Sequence, residues 1–181
     1  MGAGKSTVGK KVAKMLDRRF VDADVELESR TGRSVADWFA RAGESGFREA
    51  ESELLGDLLA GDEPLVVGAG GGVVLKKANR RRLLRPDVTV VYLHGEPGFL
   101  ATRAARKPHR PLLAEREPGE LFEEMYATRD ALYREVADVV VEVAPHHAEG
   151  ERPKWRMAET VVEALVARGE ADATTTRQEA R

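Results

Sequence analysis

The chain contains no cysteine among its 181 residues, which excludes a scaffold held together by disulfide bonds. This absence also fits a reducing compartment, so we expect a cytoplasmic location. No apolar run reaches the roughly 18–20 residues that a membrane-spanning helix needs, and the glycine-rich start lacks the apolar region of a signal peptide. The net charge of −2 gives neither the basic field of a nucleic-acid-binding protein nor the acidic excess of a disordered chain. We therefore expect a soluble protein without nucleic-acid or membrane partners.

Hydrophobic residues are plentiful at 42%, enough for a core in a single domain. Four apolar segments are predicted to be strands, and segments with helical periodicity lie between them. This alternation predicts an α/β fold in which helices cover both faces of a parallel sheet. The predicted strands are 18–24, 64–74, 87–94 and 138–143.

The domain is predicted to span residues 1–170. Within it, the segment 106–120 combines several prolines with charges of both signs, which is typical of a mobile lid loop. The segment 144–155 is predicted to be another loop. The tail 171–181 lacks the apolar residues of a packed element and is predicted to be disordered.

The opening residues GAGKST match the second half of a phosphate-binding loop. In the full pattern G-x-x-x-x-G-K-[ST], glycines let backbone N–H groups surround phosphate oxygens at a helix N-terminus. Lys5 would contact the β- and γ-phosphates of a nucleotide, and the Ser6 hydroxyl would bind Mg²⁺. A chance match at a flexible terminus is the alternative, and the amphipathic helix that follows directly disfavours it.

Two carboxylates, Asp22 and Asp24, end the first predicted strand. Ligands of open α/β sheets bind beyond the carboxyl ends of the strands. One carboxylate could therefore face Mg²⁺ and the other an acceptor hydroxyl. A D-x-D pattern alone is more often a solvated turn, but its place after a phosphate-loop helix favours the functional interpretation.

Arg48 and a cluster of three glycines are candidate substrate contacts. Arg48 follows the apolar Phe47, so it could be an ordinary snorkelling side chain or a bidentate ligand of a substrate carboxylate. Gly70, Gly71 and Gly72, the glycine cluster, follow an apolar run. Three glycines there predict a special backbone turn, a close approach of ligand to main chain, or both.

Three further arginines, Arg103, Arg110 and Arg134, could bring positive charge to a transferred phosphate. A lid carrying Arg110 would also exclude water from the reaction. In a chain this rich in arginine, some arginines fall at suggestive positions by chance, and spacing alone does not separate the two interpretations.

Five segments in order resemble the shikimate kinase family of P-loop proteins: GAGKST, FVDADVELESRTGRSVADWFARAGESGFREAE, GAGGGVV, HRPLL and LYREVADVVVEV. The resemblance extends from residue 2 to about residue 169. It implies a three-layer α/β/α P-loop fold and transfer of the ATP γ-phosphoryl group to the 3-hydroxyl of shikimate, in chorismate and aromatic amino acid biosynthesis. It also implies Mg²⁺ as cofactor, and we expect a monomer.

The resemblance further implies a role for each candidate residue. Catalysis would involve Lys5, Asp24 as candidate base, and Arg110. Mg²⁺ would be held by Ser6 and Asp22. ATP would be bound by Gly2, Ala3, Gly4, Lys5, Ser6, Thr7, Arg103, Arg110 and Arg152. Shikimate would be bound by Asp24, Arg48, Gly70, Gly71, Gly72 and Arg134.

One departure from the family pattern concerns the start of the chain. The first glycine of the phosphate loop and the strand before it would both lie upstream of Met1, and we expect the true start to lie there too. In this fold the missing strand is central, so we expect its two neighbours each to keep one unpaired edge.

Two other functions remain open. The first is a kinase for another small hydroxylated acid such as gluconate, which the predicted pair of arginines beside Asp24 disfavours. The second is a non-catalytic module that keeps a shikimate pocket without a working phosphate loop. Such a module would bind shikimate but not nucleotide.

Overall fold

A computed structural model describes residues 2–105, 117–148 and 151–169. Helices alternate with short strands through most of this part of the chain. The helices are α1 (Lys5–Met15), α2 (Ala23–Thr31), α3 (Val35–Ala60), α4 (Lys77–Leu83), α5 (Pro97–Ala105), α6 (Pro118–Val136), α7 (Val143–Ala148) and α8 (Pro153–Ala167). The strands are β1 (Arg19–Asp22), β2 (Leu65–Gly68), β3 (Val91–His94) and β4 (Val139–Glu142). None of the described helices combines the length and the apolar character needed to cross a membrane.

The described strands form two separate two-stranded sheets. β1 pairs with β2 and β3 pairs with β4, both in parallel, so the predicted parallel pairing is confirmed. The sheet is not continuous, because β2 and β3 each pair along one edge only in the described part of the chain. Each of the four described strands therefore has one edge without a strand partner among the described residues.

Helix α1 joins the two sheets. Its Val8 and Val12 are buried in one cluster with Val141 of β4 and Met157 of α8, and Val66 of β2 packs against the same cluster. The apolar residues of α1 therefore contact elements from both halves of the molecule. Each such fully buried valine contributes roughly 1.5–3 kcal/mol relative to an exposed one.

The strand predicted over 18–24 ends two residues early, because Asp22 caps helix α2. Its Oδ1 accepts a hydrogen bond from the backbone N–H of Asp24 at 3.3 Å, as an N-cap carboxylate does. Asp24 consequently lies in the first turn of a helix. The prediction that both carboxylates lie on one strand is therefore wrong.

Two later boundaries also differ from the predictions. Helix α3 is 26 residues long, with non-helical backbone at Gly43 (φ 66°, ψ −178°) where two helical segments meet. The predicted loop 144–155 instead contains most of helix α7 and the beginning of α8. Most of the predicted lid, 106–116, and the tail from 170 onward lie outside the described residues.

Ser34 caps α3 by accepting a hydrogen bond from the backbone N–H of Asp37 at 3.1 Å. Ser34→Ala removes this acceptor and is expected to lower the free energy of unfolding by about 1 kcal/mol. Urea unfolding measures the change. Ser29→Ala, an exposed position inside α2, is the control and should stay within about 0.5 kcal/mol of the parent. Equal effects of the two variants would contradict the capping role.

Candidate active site

The phosphate loop, residues 2–7, leads into α1 through two glycines with positive φ. Gly2 has φ 78° and Gly4 has φ 96°, values that glycine adopts without steric cost. A Cβ on Gly2 would lie 2.7 Å from the backbone oxygen of Leu100. The Gly4 carbonyl accepts the first bonds of the helix, from the N–H groups of Thr7 and Val8. The N–H groups that begin α1 and the positive end of the helix dipole are suited to bind an anion.

Ser6 and Asp22 meet where α1 and β1 approach each other. Ser6 Oγ donates a hydrogen bond to Asp22 Oδ2 at 2.6 Å. A hydroxyl and a carboxylate are the hard oxygen ligands that Mg²⁺ prefers, so this pair fits a magnesium ion. Within the described ranges, no three His, Cys, Asp or Glu side chains gather into a metal site. A magnesium ion held by the pair would complete its coordination with phosphate and water, as Mg²⁺ commonly does.

Asp24 is half-buried at the start of α2. Burial raises the pKa of the Asp24 carboxyl, as does the charge of Asp22, whereas Lys5 and Arg48 lower it. One carboxyl group is thus within electrostatic reach of the phosphate-loop lysine and of the candidate substrate arginine. A perturbed carboxyl pKa in such a position is typical of an acid–base residue.

Arg48 is held between two carboxylates of its own helix. Its Nη1 donates to Glu51 Oε2 at 2.9 Å, and its Nη2 donates to Glu44 Oε1 at 3.2 Å. Glu51 is only 5% exposed, and its second oxygen, Oε1, has no hydrogen-bond partner among the described residues. Burial raises the pKa of Glu51, and the neighbouring Arg48 opposes that rise. Glu51 is not among the predicted site residues, although its i, i+3 spacing from Arg48 indicates that the two side chains can pair.

The glycine cluster lies against these charged groups. A Cβ on Gly70 would lie 2.2 Å from Glu51 Oε1, and a Cβ on Gly72 would lie 2.2 Å from the Arg48 guanidinium carbon. Asp24 Oδ1 would be 3.4 Å from the same Gly70 Cβ. Any side chain at these positions would therefore fill the space between the main chain and the charged side chains.

Two residues of α6 that are not among the predicted site residues contact the glycine cluster. Tyr133 donates its hydroxyl hydrogen to the Gly71 carbonyl at 2.5 Å, and Arg129 Nη1 donates to the same oxygen at 3.2 Å. The Nε atom of Arg129 is buried and has no partner in the described part of the chain. Burial raises the pKa of the Tyr133 hydroxyl. Their i, i+4 spacing places both side chains on one face of α6.

Arg134 is separated from this group. Its Nε donates to Asp130 Oδ2 at 2.8 Å, and its side chain is 47% exposed. None of its hydrogen bonds within the described ranges reaches Arg48 or the glycine cluster. The structure thus brings Asp24, Arg48 and the glycine cluster together and leaves Arg134 outside.

The predicted nucleotide-side arginines differ in placement. Arg103 of α5 contacts the phosphate loop, because its Nε donates to the Gly2 carbonyl at 2.9 Å. Its Nη1 is 3.0 Å from His147 Nδ1. Burial and the charge of Arg103 lower the pKa of His147. Arg152 precedes α8 with φ 59°. Arg110 lies outside the described residues.

A glycine loop opening a helix, with a lysine and an oxygen pair suited to magnesium beside a carboxyl of raised pKa, defines a P-loop phosphotransferase. The particular family is given by comparison with known proteins. The family model for shikimate kinase matches residues 1–167. The chain belongs to the shikimate kinase family.

Individual relatives agree with this assignment. The shikimate kinase of Pseudomonas aeruginosa (strain LESB58) is 43% identical over 165 residues, covering 91% of each chain. That of Aromatoleum aromaticum is 49% identical over 142 residues, covering 78% of this chain and 80% of the relative. Among solved structures, the shikimate kinase of Acinetobacter baumannii in complex with shikimate superposes with a TM-score of 0.82 at 33% identity, covering 93% of this chain and 89% of the other.

Proposed function

We propose that the protein is a cytoplasmic, monomeric kinase that transfers the γ-phosphoryl group of ATP to the 3-hydroxyl of shikimate. The observation that carries the proposal is that Asp24 lies within electrostatic reach of both Lys5 and Arg48 and beside Gly70. A carboxyl group near both a phosphate-loop lysine and a candidate carboxylate ligand suits the phosphorylation of a small hydroxylated acid. The solved relative described as a complex with shikimate supports the same substrate.

In this reaction the 3-hydroxyl oxygen forms a bond to the γ-phosphorus as the bond between that phosphorus and the ADP oxygen breaks. Asp24 binds the hydroxyl and accepts its proton. Lys5 and the N–H groups that begin α1 hold the phosphates in line. Catalysis therefore comes mainly from positioning and from stabilising charge on the phosphoryl oxygens.

Ser6 and Asp22 are the residues that would hold Mg²⁺. The ion, when bound, would neutralise charge on the β- and γ-phosphate oxygens. The hydrogen bond between Ser6 Oγ and Asp22 Oδ2 supports this assignment, because the two oxygens lie only 2.6 Å apart.

Arg48 is the proposed ligand of the substrate carboxylate, since a guanidinium group binds a carboxylate in bidentate fashion. A second cation on the carboxylate would strengthen the site. Arg129 is better placed for this role than Arg134, because Arg129 contacts Gly71 while Arg134 is paired with Asp130 in a half-exposed position. Arg110 and Arg152 remain predicted nucleotide contacts.

The test is ADP release by the full chain with saturating Mg-ATP, with shikimate and gluconate as separate acceptors. We expect release that depends on shikimate and not on gluconate. ADP release with gluconate and not with shikimate would identify the protein as a kinase of another small hydroxylated acid. Calorimetric binding of shikimate without nucleotide binding or ADP release would identify a non-catalytic binding module.

Ser6→Ala is expected to raise the Mg²⁺ concentration needed for half-maximal activity by about tenfold, because a charge-assisted ligand is lost. The measurement is a Mg²⁺ titration at fixed total ATP. Thr128→Ala is the control, since the Thr128 hydroxyl bonds only to carbonyls of its own helix. An unchanged Mg²⁺ requirement in Ser6→Ala would remove Ser6 from the metal site.

A further inference from the structure

The glycine cluster forms a β-turn whose type depends on one peptide group. The Val73 N–H donates to the Gly70 carbonyl at 3.2 Å, so Gly71 and Gly72 are the two central residues. Gly72 has φ −97° and ψ −3°, the values of the second central residue of a type I turn. A type II turn would need positive φ there, which glycine adopts without strain. The two types differ by a flip of the peptide between Gly71 and Gly72.

Two hydrogen bonds determine which way this peptide points. The Gly71 carbonyl accepts from the Tyr133 hydroxyl and from Arg129 Nη1, so it is directed towards α6. The Tyr133 ring stacks on Tyr92, with ring centroids 4.7 Å apart, which restrains the position of the hydroxyl. A flip to type II would break both bonds to the carbonyl.

The N–H of Gly72 points away from α6, because the C=O and N–H of a trans peptide are directed oppositely. It donates no hydrogen bond within the part of the chain that the structure describes. The charged groups of α3 lie against the same turn, since Gly70 faces Glu51 and Gly72 faces Arg48. The free N–H therefore belongs to a residue that faces Arg48, the proposed ligand of the shikimate carboxylate.

We infer that Tyr133 is a positioning residue, which holds the Gly71–Gly72 peptide in its type I orientation and so presents the Gly72 N–H to an oxygen of bound shikimate. The inference rests on the proposed function for the identity of the ligand. Tyr133 itself does not touch the substrate. Its hydroxyl acts through the turn, and Arg129 shares the same carbonyl.

Tyr133→Phe removes the hydroxyl and keeps the stacked ring. We expect the KM for shikimate to rise about fivefold, the value for one lost hydrogen bond, while the KM for ATP and kcat stay within about twofold. A change confined to the KM of one substrate signifies lost binding of that substrate. The measurement is steady-state kinetics with each substrate varied in turn.

Tyr92→Phe is the matched control, because it removes the other hydroxyl of the same stacked pair. That hydroxyl donates to Asp130 Oδ1 at 3.0 Å and not to the glycine cluster. It should lower stability about as much as Tyr133→Phe and leave the KM for shikimate unchanged. Equal KM values for shikimate in the two variants would overturn the inference, as would a parallel rise in both KM values of Tyr133→Phe.

A calorimetric titration with shikimate separates this inference from the proposed function. If the parent protein binds shikimate but does not turn it over, the kinase assignment fails while the inference is still decided by the dissociation constants of the two variants. A selective loss of affinity in Tyr133→Phe would then uphold it, and equal affinities would overturn it. If the parent protein does not bind shikimate at all, both proposals fall.

Discussion

Asp24→Asn is expected to lower kcat for shikimate phosphorylation by about 100-fold to 10,000-fold, the range for loss of a general base. The amide cannot accept the proton of the attacking hydroxyl, although it can still bind that hydroxyl. The KM for shikimate should therefore change much less than kcat. Steady-state kinetics at pH 7 with saturating Mg-ATP gives both constants.

Asp57→Asn is the matched control, since Asp57 is exposed and pairs with Arg30 in the last turn of α2. It should retain full activity. If Asp24→Asn keeps more than about a tenth of the parent kcat, a general-base role of Asp24 is excluded, because such a loss is far below the usual contribution.

The same variant gives a second readout through stability. Burial raises the pKa of Asp24 in the folded state, so the folded protein holds this proton more tightly than the unfolded chain. The resulting stabilisation is complete below the unfolded pKa of about 4 and is lost as the pH rises through the folded pKa. The amide of the Asp24→Asn variant does not titrate in this pH range. Its stability relative to the parent should therefore increase between pH 4 and pH 7, as measured by urea unfolding.

Arg48→Ala is expected to raise the KM for shikimate by about 100-fold, because a bidentate, charge-assisted contact with the carboxylate is lost. It should also lower the free energy of unfolding by about 3 kcal/mol, because Glu51 keeps its burial and loses its closest cation. Kinetics and urea unfolding at pH 7 measure the two effects on one variant.

The double variant Arg48→Ala with Glu51→Gln separates the two roles of Arg48. Removing the buried charge should restore most of the stability, whereas the KM for shikimate should remain high. Recovery of KM together with stability would show that Arg48 acts only by compensating Glu51. An unchanged KM in the single variant would exclude Arg48 from the substrate site.

Local patterns predicted much of the fold. The helix after the phosphate loop and the parallel strands are encoded in local periodicity, and the structure contains them. The placement of Asp24 on a helix was not predicted. The Asp22 carboxylate ends the strand by capping α2, but the residues of this segment are equally compatible with a longer strand. Continuity of the sheet is a long-range property, and no local pattern reports which edge of a strand is paired.

The candidate site likewise contains residues that local patterns predict and residues that only long-range contacts bring together. The phosphate loop is contiguous, so its pattern is legible in the sequence, and Arg48 lies in a long distinctive segment. Tyr133 is 62 residues from the carbonyl that it contacts, and Arg129 is 58 residues from it. Periodicity shows that they share a helix face but not what that face meets. Arg134 is predicted to bind shikimate, whereas in the structure it pairs with its i, i+4 neighbour Asp130 in a half-exposed position.

Because α1 packs against strands of both sheets, ligand binding is linked to the stability of the whole molecule. The buried residues of α1 lie in one cluster with residues of β4 and α8, and Val66 of β2 packs against that cluster. The phosphate loop is continuous with the N-terminus of this helix, so a nucleotide held there restrains the element that ties the halves together. Part of the free energy of nucleotide binding thereby becomes resistance to separation of the two sheets. In the proposed enzyme, a bound nucleotide would therefore also stabilise the fold.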